Sequence, residues 1–182
     1  MRWLTVTLLV SLLLQMGMIG AAAAPQSSTG FIVRVLELTN GERHKIGLPP
    51  LVLSPELSDA AQNYSQVLAS SGCFEHTCGP VASFADRVTQ SGYTGWTALG
   101  ENIAAGYPTP EAVVAGWMSS PGHRENIMSP TYTEMGIGLV DGGGQYGTYW
   151  TEEFGTRPGV AQQADAPTGD DGAATNGEDA GG

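Results

Sequence analysis

Three short stretches of this chain carry residue types that can do chemistry: Cys73-Phe74-Glu75-His76-Thr77-Cys78, Gly100-Glu101-Asn102-Ile103-Ala104 and Ser120-Pro121-Gly122-His123-Arg124. Between them they hold two of the three histidines and a carboxylate in polar surroundings. Two imidazoles and a carboxylate can bind a divalent metal such as zinc, or move protons as general acid and base. His76, Glu101, Asn102 and His123 are therefore the candidate site residues, and His76, His123 and Glu101 the candidate metal ligands. The remaining histidine, His44, sits in the last turn of a predicted helix, where a cation suits the dipole, and reads as a surface residue.

These stretches need a frame. The apolar run Phe31 to Leu38 predicts a helix over about 30–46, closed by Gly47 in a left-handed conformation. Gly47-Leu48-Pro49-Pro50-Leu51 reads as an extended connection, because each proline disfavours helix at the residue before it. Ser54-Pro55-Glu56 opens a second helix with an N-cap, a proline at N1 and an acid in the first turn. Leu57, Ala60, Ala61, Tyr64 and Leu68 form its apolar stripe, and the two alanines predict close approach to another element. Gly72 ends it, directly before the cysteine loop. A short helix capped by Ser83 is predicted over 84–89, and 96–105 reads as extended or irregular. Thr109-Pro110-Glu111 starts a further helix through Trp117. His123 is expected on a turn, with a short helical piece after it to about Met128. Met135, Ile137 and Leu139 then alternate with glycines and Val140 in strand fashion, and Tyr146 to Phe154 is the return strand of a hairpin. Helices come first and strands last, so the fold class is α+β.

The two ends differ from this frame. Residues 1–24 read as a secretory signal peptide: Arg2, an apolar run from Leu4 to Ile19, and small residues at Ala21 to Ala24. The apolar run is too short for a stable membrane span. Residues 158–182 carry five acids, no base and no Leu, Ile or aromatic residue, the composition of a disordered acidic tail. Residues 30–157 are left as one domain. Without signal and tail, 13 acids face 6 bases, which excludes a basic patch for nucleic acid or anionic lipid. An exported chain with two cysteines pairs them, so Cys73 and Cys78 are expected to form a disulfide that clamps His76.

The ordered set of residues also carries a likeness. Leu38-Thr39-Asn40 with Arg43, Gly47 and Leu48, then Ala60-Ala61, His76, Gly100-Glu101-Asn102-Ile103-Ala104, Ser120-Pro121-Gly122-His123-Arg124 with Asn126, and Tyr149-Trp150-Thr151 with Phe154-Gly155 resemble the CAP superfamily of cysteine-rich secretory, antigen 5 and pathogenesis-related 1 proteins (SCP domains), in its bacterial secreted branch. The resemblance spans about 31–155. It implies an α-β-α sandwich with a small, mostly antiparallel sheet between helices, and a central cleft of two histidines and two acids that binds zinc in some members. His76, Glu101 and His123 match three of the four. The fourth, a Glu on the helix before the second histidine, is absent from Ala115 to Ser120; Asp86 and Glu153 are candidate substitutes.

Three functions follow. The first is a secreted, monomeric cleft protein that binds a small-molecule or lipid-like ligand, or an extracellular protein, with zinc as an optional cofactor. The second is a metal- or His/Glu-dependent hydrolase with Glu101 as base, although no His-Glu-x-x-His helix and no G-x-S-x-G elbow is present. The third is a non-catalytic extracellular or envelope interaction module.

Overall fold

Local capping chemistry sets the helix starts. In a computed structural model of the chain, which describes residues 28–80 and 83–159, Ser54 is extended and its Oγ accepts from Leu57 N at 3.3 Å, so α2 (Pro55–Ser71) begins where the Ser-Pro-Glu signal places it. Gly72 closes α2 at φ 69°. Ser83 and Thr109 cap α3 (Phe84–Gln90) and α4 (Pro110–Ser119) in the same way. The first helix, α1, spans Ser28–His44, two residues earlier at each end than predicted. The proposed signal (1–24) and most of the proposed tail (160–182) lie outside the described residues. Among those described, no helix is long and apolar enough to cross a membrane.

Four strands form one sheet in the order β1-β3-β4-β2. β1 (Val52–Leu53) pairs parallel with β3 (Glu134–Asp141). The other pairings, β3 with β4 (Thr148–Thr156) and β4 with β2 (Ala98–Ala105), are antiparallel. The stretch read as extended or irregular is thus a full strand, because β4 supplies a partner along its whole length. β1 follows the proline-rich connection read over 47–51, and it is a strand only through β3.

Period-two alternation splits the sheet into two faces. Val35 of α1, Val113 and Trp117 of α4 and Ile127 of α5 (Pro121–Ile127) cluster with Met135, Ile137, Leu139, Trp150 and Phe154 on one face. α2 covers the other, where Tyr64 and Leu68 meet Ile103 and Tyr149. The result is the α+β sandwich the sequence implies.

α2 lies on β3 at backbone distance. A Cβ added to Gly136 would stand 2.1 Å from the carbonyl carbon of Leu57, and one at Gly138 would stand 2.3 Å from that of Ala61. The alternating glycines of β3 and the small residues of α2 are therefore one contact, seen from both sides. Backbone cannot yield as a flexible side chain does, so Gly138→Ala is expected to destabilise the fold by about 3 kcal/mol or more. A urea titration should show this as a lower midpoint with an unchanged slope.

Candidate functional site

β2 is an edge strand, and neighbouring residues on it point to opposite faces. Glu101 points toward α2, and its cross-strand partner is Glu153. Asn102 points the other way and is paired with Glu152. The two candidate histidines approach from these two sides.

On the α2 side, Cys73 and Cys78 are bonded as expected. The Tyr64 hydroxyl accepts from Cys78 N at 3.0 Å and donates to the Glu75 carbonyl, so α2 holds the loop at a second point. His76, at the end of this loop, keeps about half of its side chain exposed. Its Nδ1 lies 2.7 Å from Glu101 Oε1, which leaves Nε2 facing outward from that contact. The hydrogen bond with Glu101 raises the His76 pKa. Glu101 itself is almost wholly buried. Burial alone would raise its pKa, but the hydrogen bond from His76 and the Arg87 charge outweigh that and hold it below the ordinary value.

Arg87 is the residue the sequence reading missed. Its Nη2 donates to Glu101 Oε2 and its Nη1 to the His76 carbonyl at 3.1 Å. Its Cζ stacks 3.4 Å above the Tyr64 ring, a cation–π contact. Nothing in the spacing of α3 marks it; an arginine buried in a seven-residue helix is visible only once its partners are placed. Of the two candidate fourth acids, Asp86 is exposed and bonded to Ser83 at the start of α3, so it is not part of the cluster. Glu153 is fully buried beside Glu101. Burial, then the Glu101 charge, push its pKa well above the carboxylate range. A side-chain hydrogen bond with Glu101 adds to the same shift, the protonated carboxyl donating to the ionised one. At neutral pH Glu153 is therefore the protonated member of the pair and Glu101 the ionised one.

On the other side, Asn102 is fully buried. Its amide donates to Glu152 Oε2 at 3.0 Å and to the His123 carbonyl at 3.2 Å, and its oxygen accepts from Asn126 at 2.9 Å. Asn102 thus fastens α5 to β2 and positions His123 through its backbone. His123 lies in the first turn of α5, where a turn was expected, because Pro121 starts the helix two residues before it. Burial, then the His76 charge, lower its pKa, so it is neutral at neutral pH. Its side chain lines a cavity of about 410 Å³ together with Phe74, Tyr107, Trp117, Ser119 and Ser120. Glu152 accepts from Thr39 at 3.0 Å on the same face, and burial raises its pKa to about 7.

The donor set suits a divalent ion only loosely. His76 offers Nε2 with a carboxylate orienting the ring from behind, the usual support for a metal-binding imidazole, and neutral His123 is a competent donor. Glu101 is already committed to Arg87 and His76, so it supports a ligand better than it acts as one. Among the described residues, no three His, Cys, Asp or Glu side chains group to hold a metal.

Comparisons with known proteins bear on the whole domain. The model of the cysteine-rich secretory protein family, CAP, matches residues 36–154. An uncharacterized protein of Bacillus subtilis, YkwD, is 42% identical over 132 residues, covering 72% of this chain and 49% of its own. An uncharacterized membrane protein of the same organism, YlbC, is 33% identical over 121 residues, covering 66% of this chain and 33% of its own. The chain thus spans half or less of the length of these relatives. Among solved structures, an extracellular SCP-domain protein of Bacillus anthracis aligns with a TM-score of 0.64 at 25% identity, over 74% of this chain and 45% of that one. An outer surface protein of Borrelia burgdorferi aligns at 0.61 and 20% identity, over 68% of this chain and 90% of that one, a likeness of fold alone.

Two outcomes test the electrostatics. Arg87→Met would leave Glu101 buried without its cation, and should cost about 3–5 kcal/mol at neutral pH. The deficit should shrink as pH falls and the carboxyl protonates, which chemical denaturation across pH would measure. Glu152 has a folded pKa of about 7 against an ordinary 4.5. Its contribution is therefore complete below the ordinary value and is lost as pH rises through about 7. Glu152→Gln removes this titration, so its stability relative to wild type should improve by on the order of 2–3 kcal/mol between about pH 4 and about pH 8.

Proposed function

The chain belongs to the cysteine-rich secretory protein (CAP) family, and from that premise we propose that it is an exported binding protein whose cleft takes a small apolar or lipid-like ligand beside His123. The observation that carries this reading is the division of labour between the two sides of β2. The residue that would serve as base, Glu101, is buried and spent on Arg87 and His76. The open cavity is walled instead by Phe74, Tyr107, Trp117 and His123. A general base must reach the proton it removes, whereas an apolar pocket with a few polar groups is what ligand binding asks for. This favours binding over hydrolysis. Export would use residues 1–24 as the signal, in keeping with the extracellular and outer-surface proteins that share the fold. Zinc would be optional, held by His76 Nε2 and His123, with Glu101 orienting the first. When bound, such an ion supplies a positive anchor for an acceptor group on the ligand.

Titration with cis-parinaric acid should give saturable fluorescence enhancement, weakened several-fold in Phe74→Ala and Tyr107→Ala. No saturable signal, together with ester or peptide turnover that Glu101→Gln abolishes, would replace this reading with the hydrolase. Zinc should bind by calorimetry with micromolar or weaker affinity, and a His76→Ala/His123→Ala double variant should lose it. Absence of heat with the wild-type chain would remove the metal and leave the cleft reading standing.

A further inference from the structure

Three exposed aromatic side chains, Phe74, Tyr107 and Tyr146, meet in one place; they are 39%, 36% and 48% exposed. Phe74 belongs to two cavities at once. One is the cavity beside His123, which Tyr107 also lines. The other, of about 120 Å³, is walled by Leu68, Gln145, Tyr146 and Tyr149 as well. Phe74 is thus a ridge between two slots. Its ring centroid lies 5.9 Å from that of Tyr146 at an interplanar angle of 63°, and Tyr146 lies 6.1 Å from Tyr149 at 64°. Each ring is braced. Phe74 sits inside the loop that the Cys73–Cys78 disulfide closes. The Tyr146 N–H donates to the Tyr149 hydroxyl at 3.3 Å. Tyr107 packs on α4 at Gly116, where an added Cβ would stand 2.7 Å from its ring. A surface ordered in advance avoids much of the entropy cost of binding.

Exposed aromatic patches mark interaction surfaces, and geometry and charge narrow what this one takes. Rings set edge to face enclose slots and present no single flat platform. Slots suit narrow apolar rings inserted between the aromatics better than a sugar laid on one face. The hydroxyls of Tyr107 and Tyr146 bond no described residue, so both are open to donate to a ligand carbonyl. Two exposed acids stand nearby. Glu75 follows Phe74 in the cysteine loop, and Asp141 is the cross-strand partner of Thr148, whose hydroxyl donates to the Tyr107 carbonyl. Neither acid forms an ion pair with a described residue. Arg124, next to His123, is followed by Glu125 and adds no net positive charge. The chain as a whole carries a net charge of −11. The matching ligand has apolar rings, open backbone carbonyls and positive charge. A polyproline II segment leaves every carbonyl unpaired and returns a residue to the same side every third position.

We infer that the ridge of Phe74, Tyr107 and Tyr146 is a docking surface for a basic, proline-rich segment of an extracellular protein, bound as a polyproline II helix. Prolines on one side of the helix enter the slots on either side of Phe74. Ligand carbonyls accept from the Tyr107 and Tyr146 hydroxyls, and a flanking Arg or Lys meets Glu75. Such segments dock in aromatic-lined grooves because their shape is preformed and little entropy is lost. The chain's own residues 160–182 do not fit, with five acids and a single proline. This goes beyond the small ligand beside His123 and does not depend on it, since Gln145 and Tyr146 line the smaller cavity and not that one.

The test is a nitrogen–proton NMR titration of the full chain with a synthetic peptide of repeated Pro-Leu-Pro-Arg units. The controls are the same peptide with alanine for proline, the same with glutamate for arginine, and chitotetraose. Saturable shifts of the Phe74, Tyr107, Gln145 and Tyr146 backbone signals are expected with the first peptide. Either altered peptide should bind several-fold more weakly, and chitotetraose should leave these signals unmoved. Tyr146→Ala, at an exposed position, should weaken the peptide about tenfold and leave the cis-parinaric acid response unchanged. Glu75→Gln should weaken the peptide several-fold and flatten its salt dependence, and it carries the test if Tyr146→Ala disturbs the fold. The inference is overturned if the first peptide gives no saturable shifts, or if an altered peptide binds as tightly. It is equally overturned if chitotetraose alone moves these signals, which would make the ridge a glycan surface, or if a folded Tyr146→Ala protein binds like wild type. Peptide binding without a cis-parinaric acid response would sustain this inference and remove the small apolar ligand alone.

Discussion

The organisation of this domain turns on one property of an edge strand: neighbouring residues face opposite sides. Glu101 and Asn102 are adjacent on β2, and the fold builds a different assembly around each. Glu101 is drawn into the α2 layer, where it holds Arg87 and His76. Asn102 is drawn into the layer of α1, α4 and α5, where it holds Glu152 and the backbone at His123. The two imidazoles are therefore delivered around a strand edge from separate layers. A one-residue slip of β2 would exchange the two faces and dismantle both assemblies.

The same alternation acts on β4, where Glu152 and Glu153 are consecutive and both fully buried. Two adjacent carboxyl groups inside a core are tolerated because they do not share an environment. Glu152 has Thr39 and Asn102 as donors and Arg43 close enough to lower its pKa somewhat. Glu153 has Glu101 as neighbour and stays neutral. Arg87 is then the cation that lets at least one member of the Glu101–Glu153 pair ionise. Buried ion pairs add little net stability over apolar packing, but removing one partner is severe. The cluster consequently fixes geometry more than it contributes energy. It holds the cysteine loop and β2 in one arrangement, with the disulfide and Tyr64 as further ties.

Much of the frame was legible before any coordinates. The Ser-Pro-Glu and Thr-Pro-Glu starts, Gly72 as a stop, the Leu57-Ala60-Ala61-Tyr64-Leu68 stripe and the alternation of β3 are local signals, and local physics decides them. The short strand β1 and the full length of β2 were less legible, because a strand exists only by virtue of its partner. Arg43 shows the same limit. It lies near the end of α1 and is fully buried, donating to the carbonyls of Pro49, Ile127, Ser129 and Tyr132. Those acceptors are spread over 84 positions of sequence, so no window could have found them.

By itself, then, the sequence determined the class of fold, the family and the disulfide, and marked His76, Glu101, Asn102 and His123 as candidates, since residue type, capping chemistry and short-range period are written locally. Only the tertiary structure decided what each of the four does. It buried Glu101 against an arginine, turned Asn102 away from the cleft into a fastener for α5, left His123 on the wall of an open cavity, and set Glu153 beside Glu101. Those roles depend on which faces meet across the sheet, and that is a property of packing between segments far apart in the chain.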